Sequence, residues 1–207
     1  SNATAYYGAT GIVAFAGNGN ANVDNSGDIA AVSSYWATGI YARGYGDTTV
    51  ENSGSVHADG QKYAFGVYAT AGAGDVSVTN ADGGDIYAYS YIGRAWGVFG
   101  YAAQGDVHVV NDGSIATYAY GQSAGVFVRS GEGDVGVTNT GSIEAITGGN
   151  VAVGIFARAD YGTASVGNGG DIVASVEGVN GYIGDDAYGI LASGDYAQVT
   201  NSGSIYA

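Results

Sequence analysis

The chain has 207 residues, with 39 Gly, no Pro, no Cys and no Met, and a formal charge of −14. Without cysteine it has no disulfide, no thiolate metal site and no cysteine nucleophile. With 19 acidic against 5 basic side chains it repels phosphate backbones and anionic lipid, so no nucleic acid is expected as partner, and no apolar run reaches the ~18 residues of a membrane helix.

Ser1-Asn2-Ala3 reads as a remnant of tag removal, leaving residues 4–207 as one repeat domain cut from a longer array, with no recognisable capping element. The first coil runs through Gly11-Ile12-Val13-Ala14, then through Val23 into the turn Asn25-Ser26-Gly27, then through Ile29 and Ala31. The second repeats that order as Gly39-Ile40-Tyr41-Ala42, Thr49-Val50-Glu51-Asn52 and Ser55-Val56-His57-Ala58. Each stretch alternates with period two, the signature of a strand. The Gly-Ile or Gly-Val pair returns at Gly66, Gly97, Gly125, Gly154 and Gly189, giving glycine intervals of 28, 27, 31, 28, 29 and 35 residues. The turn asparagine returns at Asn80, Asn111, Asn139, Asn168 and Asn201, giving intervals of 27, 28, 31, 28, 29 and 33. Two landmarks that drift in step define about seven coils of roughly 30 residues. Extra residues fall in connections, as in Asn80-Ala81-Asp82-Gly83-Gly84 and in the stretch from Ser175 to Asp186.

A coil of three four-residue strands cannot bury a face alone. Stacking equivalent strands about 4.8 Å apart gives three parallel sheets around a narrow core, an all-β, right-handed, single-stranded parallel β-helix roughly 30–35 Å long. The inward positions are small or β-branched: Ile40/Ala42 and Val67/Ala69 on the first strand, Val50 and Val137 on the second, Ile86/Ala88 and Ile143/Ala145 on the third.

The turn asparagines form a structural ladder in this reading. Asn tolerates left-handed backbone, the following Gly permits positive φ, and stacked amides bond from coil to coil. The Gly-rich bends that end at Asp47, Asp75, Asp106 and Asp134 resemble the calcium-binding turns of secreted nonapeptide-repeat proteins. Those turns recur about every nine residues so that neighbours share each ion, whereas these recur every 28 to 31. They are weak calcium candidates, and no metal or cofactor is expected. Arg43, Arg129 and Arg158 stand just before such bends, where they would partly neutralise the aspartates.

Outward positions of the first strand read Val13, Tyr41, Tyr68, Phe99, Phe127, Phe156 and Leu191, with Phe65, Trp96 and Tyr188 shortly upstream. This apolar, largely aromatic stripe is the candidate binding surface. It is equally a candidate stacking ladder, or a face covered by linkers carrying Tyr89, Tyr91, Tyr118 and Tyr120.

Catalysis is not expected. Asp185-Asp186 is the sole adjacent acidic pair and lies in a Gly-rich linker, and five basic residues spread over seven coils do not make the basic substrate site that a lyase of acidic sugars needs. His57 and His108 point outward from different strands, and no serine has a nucleophile-elbow context.

The recurring Asn-x-Gly-x-Ile-x-Ala stretch, at Asn25–Ala31, Asn52–Ala58, Asn139–Ala145 and Asn201–Ala207, resembles the passenger domains of Gram-negative autotransporters and haemagglutinin-like adhesins. The resemblance implies export through the outer membrane to the cell surface, with a membrane β-barrel elsewhere in the gene. It also implies adhesion to a glycan or protein on another cell or matrix, or self-association. The alternatives are a passive stalk carrying a functional tip elsewhere and a fragment of a carbohydrate-active β-helix enzyme.

Overall fold

A computed structural model describes residues 1–177 and 186–207. The chain is a β-solenoid of about seven turns with about 29 residues per turn, and the described residues contain no helix. Each full coil contributes one strand to each of three parallel sheets. The second coil supplies Trp36–Gly44 to the first sheet, Thr48–Asn52 to the second and Ser55–Gly60 to the third. The first and second sheets have seven strands and the third has eight. The eighth is Asn2–Ala5, so Asn2 and Ala3 pair with Ala30 and Ala31 in the third sheet.

All strands but the terminal Asn2–Ala5 and Ser204–Tyr206 exceed the four residues expected from alternation. Those of the first sheet reach nine, because apolar and aromatic residues upstream of each Gly-Ile pair also join the ladder. Register is uniform: Ile40 pairs with Val67, Val67 with Val98 and Val98 with Val126. Equivalent residues therefore stack, and the core is a set of like columns. Ile86, Ile115, Ile143 and Ile172 face Val67, Val98, Val126 and Ile155 across the interior, each at most 1% exposed. A separate seam of alanines, including Ala37, Ala58, Ala64, Ala88 and Ala95, fills the corner between first and third sheets.

The repeated glycine is explained by this interior. Alternation breaks at each one: Gly66 and Val67 are both buried, as are Gly97 and Val98. The strand bends there as at a bulge, turning two consecutive residues inward. A Cβ on Gly97 would collide with Ile115 Cγ2 and with the Gly125 carbonyl oxygen, and Gly39, Gly66, Gly125 and Gly154 are confined in the same way. The glycine and the third-strand isoleucine are thus one packing unit. The bend also resets the alternation, so Phe65 shares the outer face with Tyr68 although strict period two would place it with Val67.

The asparagines form the expected ladder, by a different backbone geometry. Each Nδ2 donates to the Oδ1 of the next coil, from Asn25 to Asn52, Asn80, Asn111, Asn139, Asn168 and Asn201, at 2.7–2.8 Å. Each also donates to a glycine carbonyl of its own turn, as Asn52 to Gly54 at 3.0 Å. Among the described residues only Asn150 and Gly83 have positive φ, so neither the ladder asparagines nor their turn glycines use left-handed backbone. From the second coil on, the turn glycines are required by proximity instead: a Cβ on Gly141 would strike the Gly113 carbonyl of the neighbouring coil. Gly83 is the exception, and it accommodates the one lengthened turn.

One coil departs from the alanine seam. Thr117 and Ser123 occupy two alanine positions, fully or almost fully buried, with their hydroxyl oxygens 2.7 Å apart. Two carbonyls also lie in reach, that of Glu144 at 3.2 Å from Thr117 Oγ1 and that of Thr117 at 3.1 Å from Ser123 Oγ, so the two hydroxyl protons are shared among three acceptors. No buried side-chain N or O among the described residues lacks a partner.

Candidate functional site

The first sheet's outer face carries the aromatic stripe. Tyr41, Tyr68, Phe99, Phe127 and Phe156 lie on five successive strands with their rings nearly parallel, at interplanar angles of 5–10° and centroid separations of 4.5–5.6 Å. The spacing follows from strand separation, since identical χ1 rotamers on stacked strands bring ring over ring. Beside this column Phe65 stacks on Trp96 at 4.8 Å and meets Tyr68 edge-on at 5.2 Å. Tyr188 stands apart. Ala124 and Val153 interrupt its column, and it faces Phe156 and Leu191 across a shallow groove of about 290 Å³.

The stripe is not roofed by the tyrosines expected to fold over it. Tyr89 and Tyr118 lie in strands of the third sheet, and with Tyr91 and Tyr120 they line a groove of about 440 Å³ on that side. His57 belongs to a smaller column there, stacked on Tyr87 at 4.7 Å, while His108 is exposed on the second sheet. Tyr118 donates a hydrogen bond to Glu144, and that bond, helped by burial, pushes its phenol up to about 12.

The cations were expected to be spread along the chain, and folding gathers them instead. Arg43, Arg94, Arg129 and Arg158, four of the five basic side chains, sit on strands of the first sheet. Of the 19 acidic residues only Asp186 lies on those strands, accepting a bond from Tyr188 at 3.3 Å. Asp185 lies outside the described residues. Arg129 and Arg158 do not neutralise the aspartate column. Both bind Asp160, with Arg158 Nε at 2.8 Å and Arg129 Nε at 2.9 Å. The Arg129 contact, above all, holds the Asp160 carboxyl below its ordinary range. Lys62, at the sheet's edge, bonds to the Tyr35 hydroxyl at 3.1 Å and lies over the Tyr35 and Tyr63 rings. Arg43 and Arg94 make no ion pair with a described residue.

The aspartates of the Gly-rich bends serve the backbone. Asp47 Oδ1 accepts from the Asp75 amide at 3.1 Å, Asp75 from Asp106 at 2.8 Å, Asp106 from Asp134 at 2.7 Å and Asp134 from Thr163 at 2.7 Å. Each carboxylate thus holds the bend of the following coil in register. Among the described residues no three His, Asp or Glu side chains converge as a metal site, and no helix is long and apolar enough to cross a membrane.

Two grooves border the stripe at its N-terminal end. One of about 640 Å³ is walled by Trp36, Tyr63, Phe65 and Trp96, and one of about 380 Å³ surrounds Arg43. Burial pushes the Tyr68 phenol up, aided by the Tyr41 hydroxyl and countered by the charge of Arg43. No protein-family model matches the chain, nor does any curated protein or solved structure.

Proposed function

We propose that this chain is a segment of an exported cell-surface passenger protein that works in adhesion, through the outer face of its first sheet. The observation that carries the reading is the unroofed column of Tyr41, Tyr68, Phe99, Phe127 and Phe156, flanked by Phe65 and Trp96 and bordered by open grooves. These rings are half-buried, and a contiguous apolar face left open to solvent is kept where a partner covers it, because left bare it invites aggregation. Sorting of charge supports the same face: among the described residues, the first sheet is the one whose strands carry more cations than acids, within a chain of charge −14. The partner is a glycan or protein of another cell or matrix.

A second reading, a passive stalk, is favoured by the ring geometry itself. Faces that stack within 4.5–5.6 Å of one another already bury much of the stripe's apolar area along the rod. The two readings separate on an array of glycans and matrix proteins. The adhesive reading requires binding by the purified chain and its loss in a folded Tyr68→Ser/Phe99→Ser/Phe127→Ser variant. Equal binding by both proteins, or none by either, removes the stripe as a contact face and leaves the stalk.

A further inference from the structure

The ring columns have a limit as a sugar-binding surface: a stacked ring presents its edge, while a sugar's C–H face needs an open ring face. Open faces occur where the columns fail. In the column of Phe15, Arg43, Thr70, Tyr101 and Arg129, register places unlike side chains over one another. Phe15, Tyr45 and Tyr101 pair with no other ring among the described residues, and Phe15 and Tyr45 are 66% and 58% exposed. All three line the groove of about 380 Å³ around Arg43, together with Tyr41, Tyr68 and Thr70.

That groove joins three chemistries. It has aromatic rings with no ring stacked on them, hydroxyls on Tyr41, Tyr68 and Thr70, and one guanidinium with no ion pair. Among the described residues no acidic side chain lines it. Asp47, four residues from Arg43, has its carboxylate engaged by the Asp75 amide and the Asn20 amide group. The volume is that of a small-ligand site. From this juxtaposition we infer that the groove at Arg43 is a subsite for a saccharide bearing a single carboxylate, such as a sialylated or uronic-acid-terminated glycan. The ring faces take the apolar face of the sugar, the hydroxyls take its hydroxyls, and Arg43 pairs with the carboxylate in bidentate fashion.

Sparse charge is part of the assignment. One unpaired guanidinium neutralises one anion, whereas the field of a −14 chain repels a densely sulfated or polycarboxylated strand. The inference rests on the adhesive reading above, and it names the ligand class and the residue that selects it.

The test uses immobilised sialyllactose and uronic-acid-terminated oligosaccharide conjugates, with lactose and a neutral oligosaccharide as uncharged counterparts and heparin as a dense polyanion. The intact chain should bind the singly charged conjugates about tenfold or more tighter than their neutral counterparts, and heparin no better. Arg43→Gln, an exposed substitution that leaves every column intact, should erase that preference. Arg94→Gln, on the same face outside the groove, should keep it. Equal binding of charged and neutral sugars, a preference that survives in Arg43→Gln, or no saccharide binding overturns the subsite. Self-association abolished by Arg43→Gln also overturns it, giving the groove to the acidic surface of a second copy. The adhesive reading is judged separately, by a Phe127→Ser/Phe156→Ser variant outside the groove on the matrix-protein array. Binding lost there but untouched by Arg43→Gln keeps adhesion even where the saccharide conjugates have overturned the subsite.

Discussion

Replacing Asn111 by alanine tests whether the asparagine ladder acts between coils or only within each turn. Asn111 is fully buried and its amide takes part in four bonds. Nδ2 donates to Asn139 Oδ1 at 2.7 Å and to the Gly113 and Ser142 carbonyls at 3.3 Å, while Oδ1 accepts from Asn80 at 2.8 Å. After truncation Asn80 keeps the Gly84 and Ser114 carbonyls as acceptors. Asn139 Oδ1 has no other donor and becomes a buried acceptor without a partner. An orphaned buried polar group costs roughly 1–3 kcal/mol, and each lost bond about 0.5–1.5 kcal/mol, so we expect about 2–4 kcal/mol for Asn111→Ala. Asn201, at the exposed last coil, accepts from Asn168 and bonds Gly203 at 3.0 Å. Its truncation should cost no more than about 1–1.5 kcal/mol. Urea unfolding followed by circular dichroism and by the fluorescence of Trp36 and Trp96 measures both. A purely local turn role predicts equal costs, because every asparagine makes the same bond to its own turn glycine. Equal losses in Asn111→Ala and Asn201→Ala would refute the ladder as an inter-coil device.

Three further outcomes follow from the core and the tyrosines. Gly97→Ala forces a methyl against Ile115 Cγ2 and the Gly125 carbonyl, neither of which yields cheaply, so a loss of about 3 kcal/mol or more is expected by thermal unfolding; tolerance near wild type would mean that the bend is not fixed by contact. Thr117→Ala and Ser123→Ala should each cost about 1 kcal/mol, while the double substitution rebuilds the alanine seam and lies within about 1 kcal/mol of wild type; strictly additive losses in the cycle would refute the coupling. Tyr118 binds its proton more tightly folded than unfolded, so its contribution is complete below pH ~10, the unfolded phenol value, and is lost as pH rises through about 12. Titration by phenolate absorbance should show a late component, to which Tyr68 and Tyr118 both contribute and of which part moves earlier in Glu144→Gln, and an unchanged curve would refute the bond as the cause for Tyr118.

Much of this architecture is readable from spacing alone. A one-residue slip would turn Ile40, Val67 and Val98 out of the core, so their recurrence fixes both the coil length and the register. The asparagine ladder is legible for the same reason, although its glycines serve close approach rather than positive φ. The bend at Gly66 and Gly97 is not legible from period two, because two consecutive inward residues violate it. Its signal lies instead in the joint recurrence of each glycine with an isoleucine or valine on the third strand. The Thr117–Ser123 pair is hidden because the two residues lie on different sheets and replace alanines one for one. The gathering of Arg43, Arg94, Arg129 and Arg158 becomes visible only when coils are laid over one another, since along the chain these residues look dispersed. The positions of Tyr91 and Tyr120 depend on which way their connections turn, and hydropathy does not encode that.

Stacking at one strand separation also explains where binding chemistry is possible on such a surface. Like side chains lie about 4.8 Å apart in every column, so each column must be compatible with itself. Aromatic rings and amides meet that condition, the first by face contact and the second because each amide both donates and accepts. A column of like charges does not: two unit charges at that distance repel by about 1 kcal/mol even at the dielectric constant of water, and more near protein. The aspartates persist because each accepts a backbone amide from the next coil, and Arg129 and Arg158 because Asp160 lies between them. Uniform columns are therefore self-compatible by stacking, whether or not a partner covers them. Arg43 lies where that explanation stops, between Phe15 and Thr70 in its column, with no ion-pair partner among the described residues. A side chain that stacking does not require and no neighbour satisfies has its interaction left to make with something outside the rod.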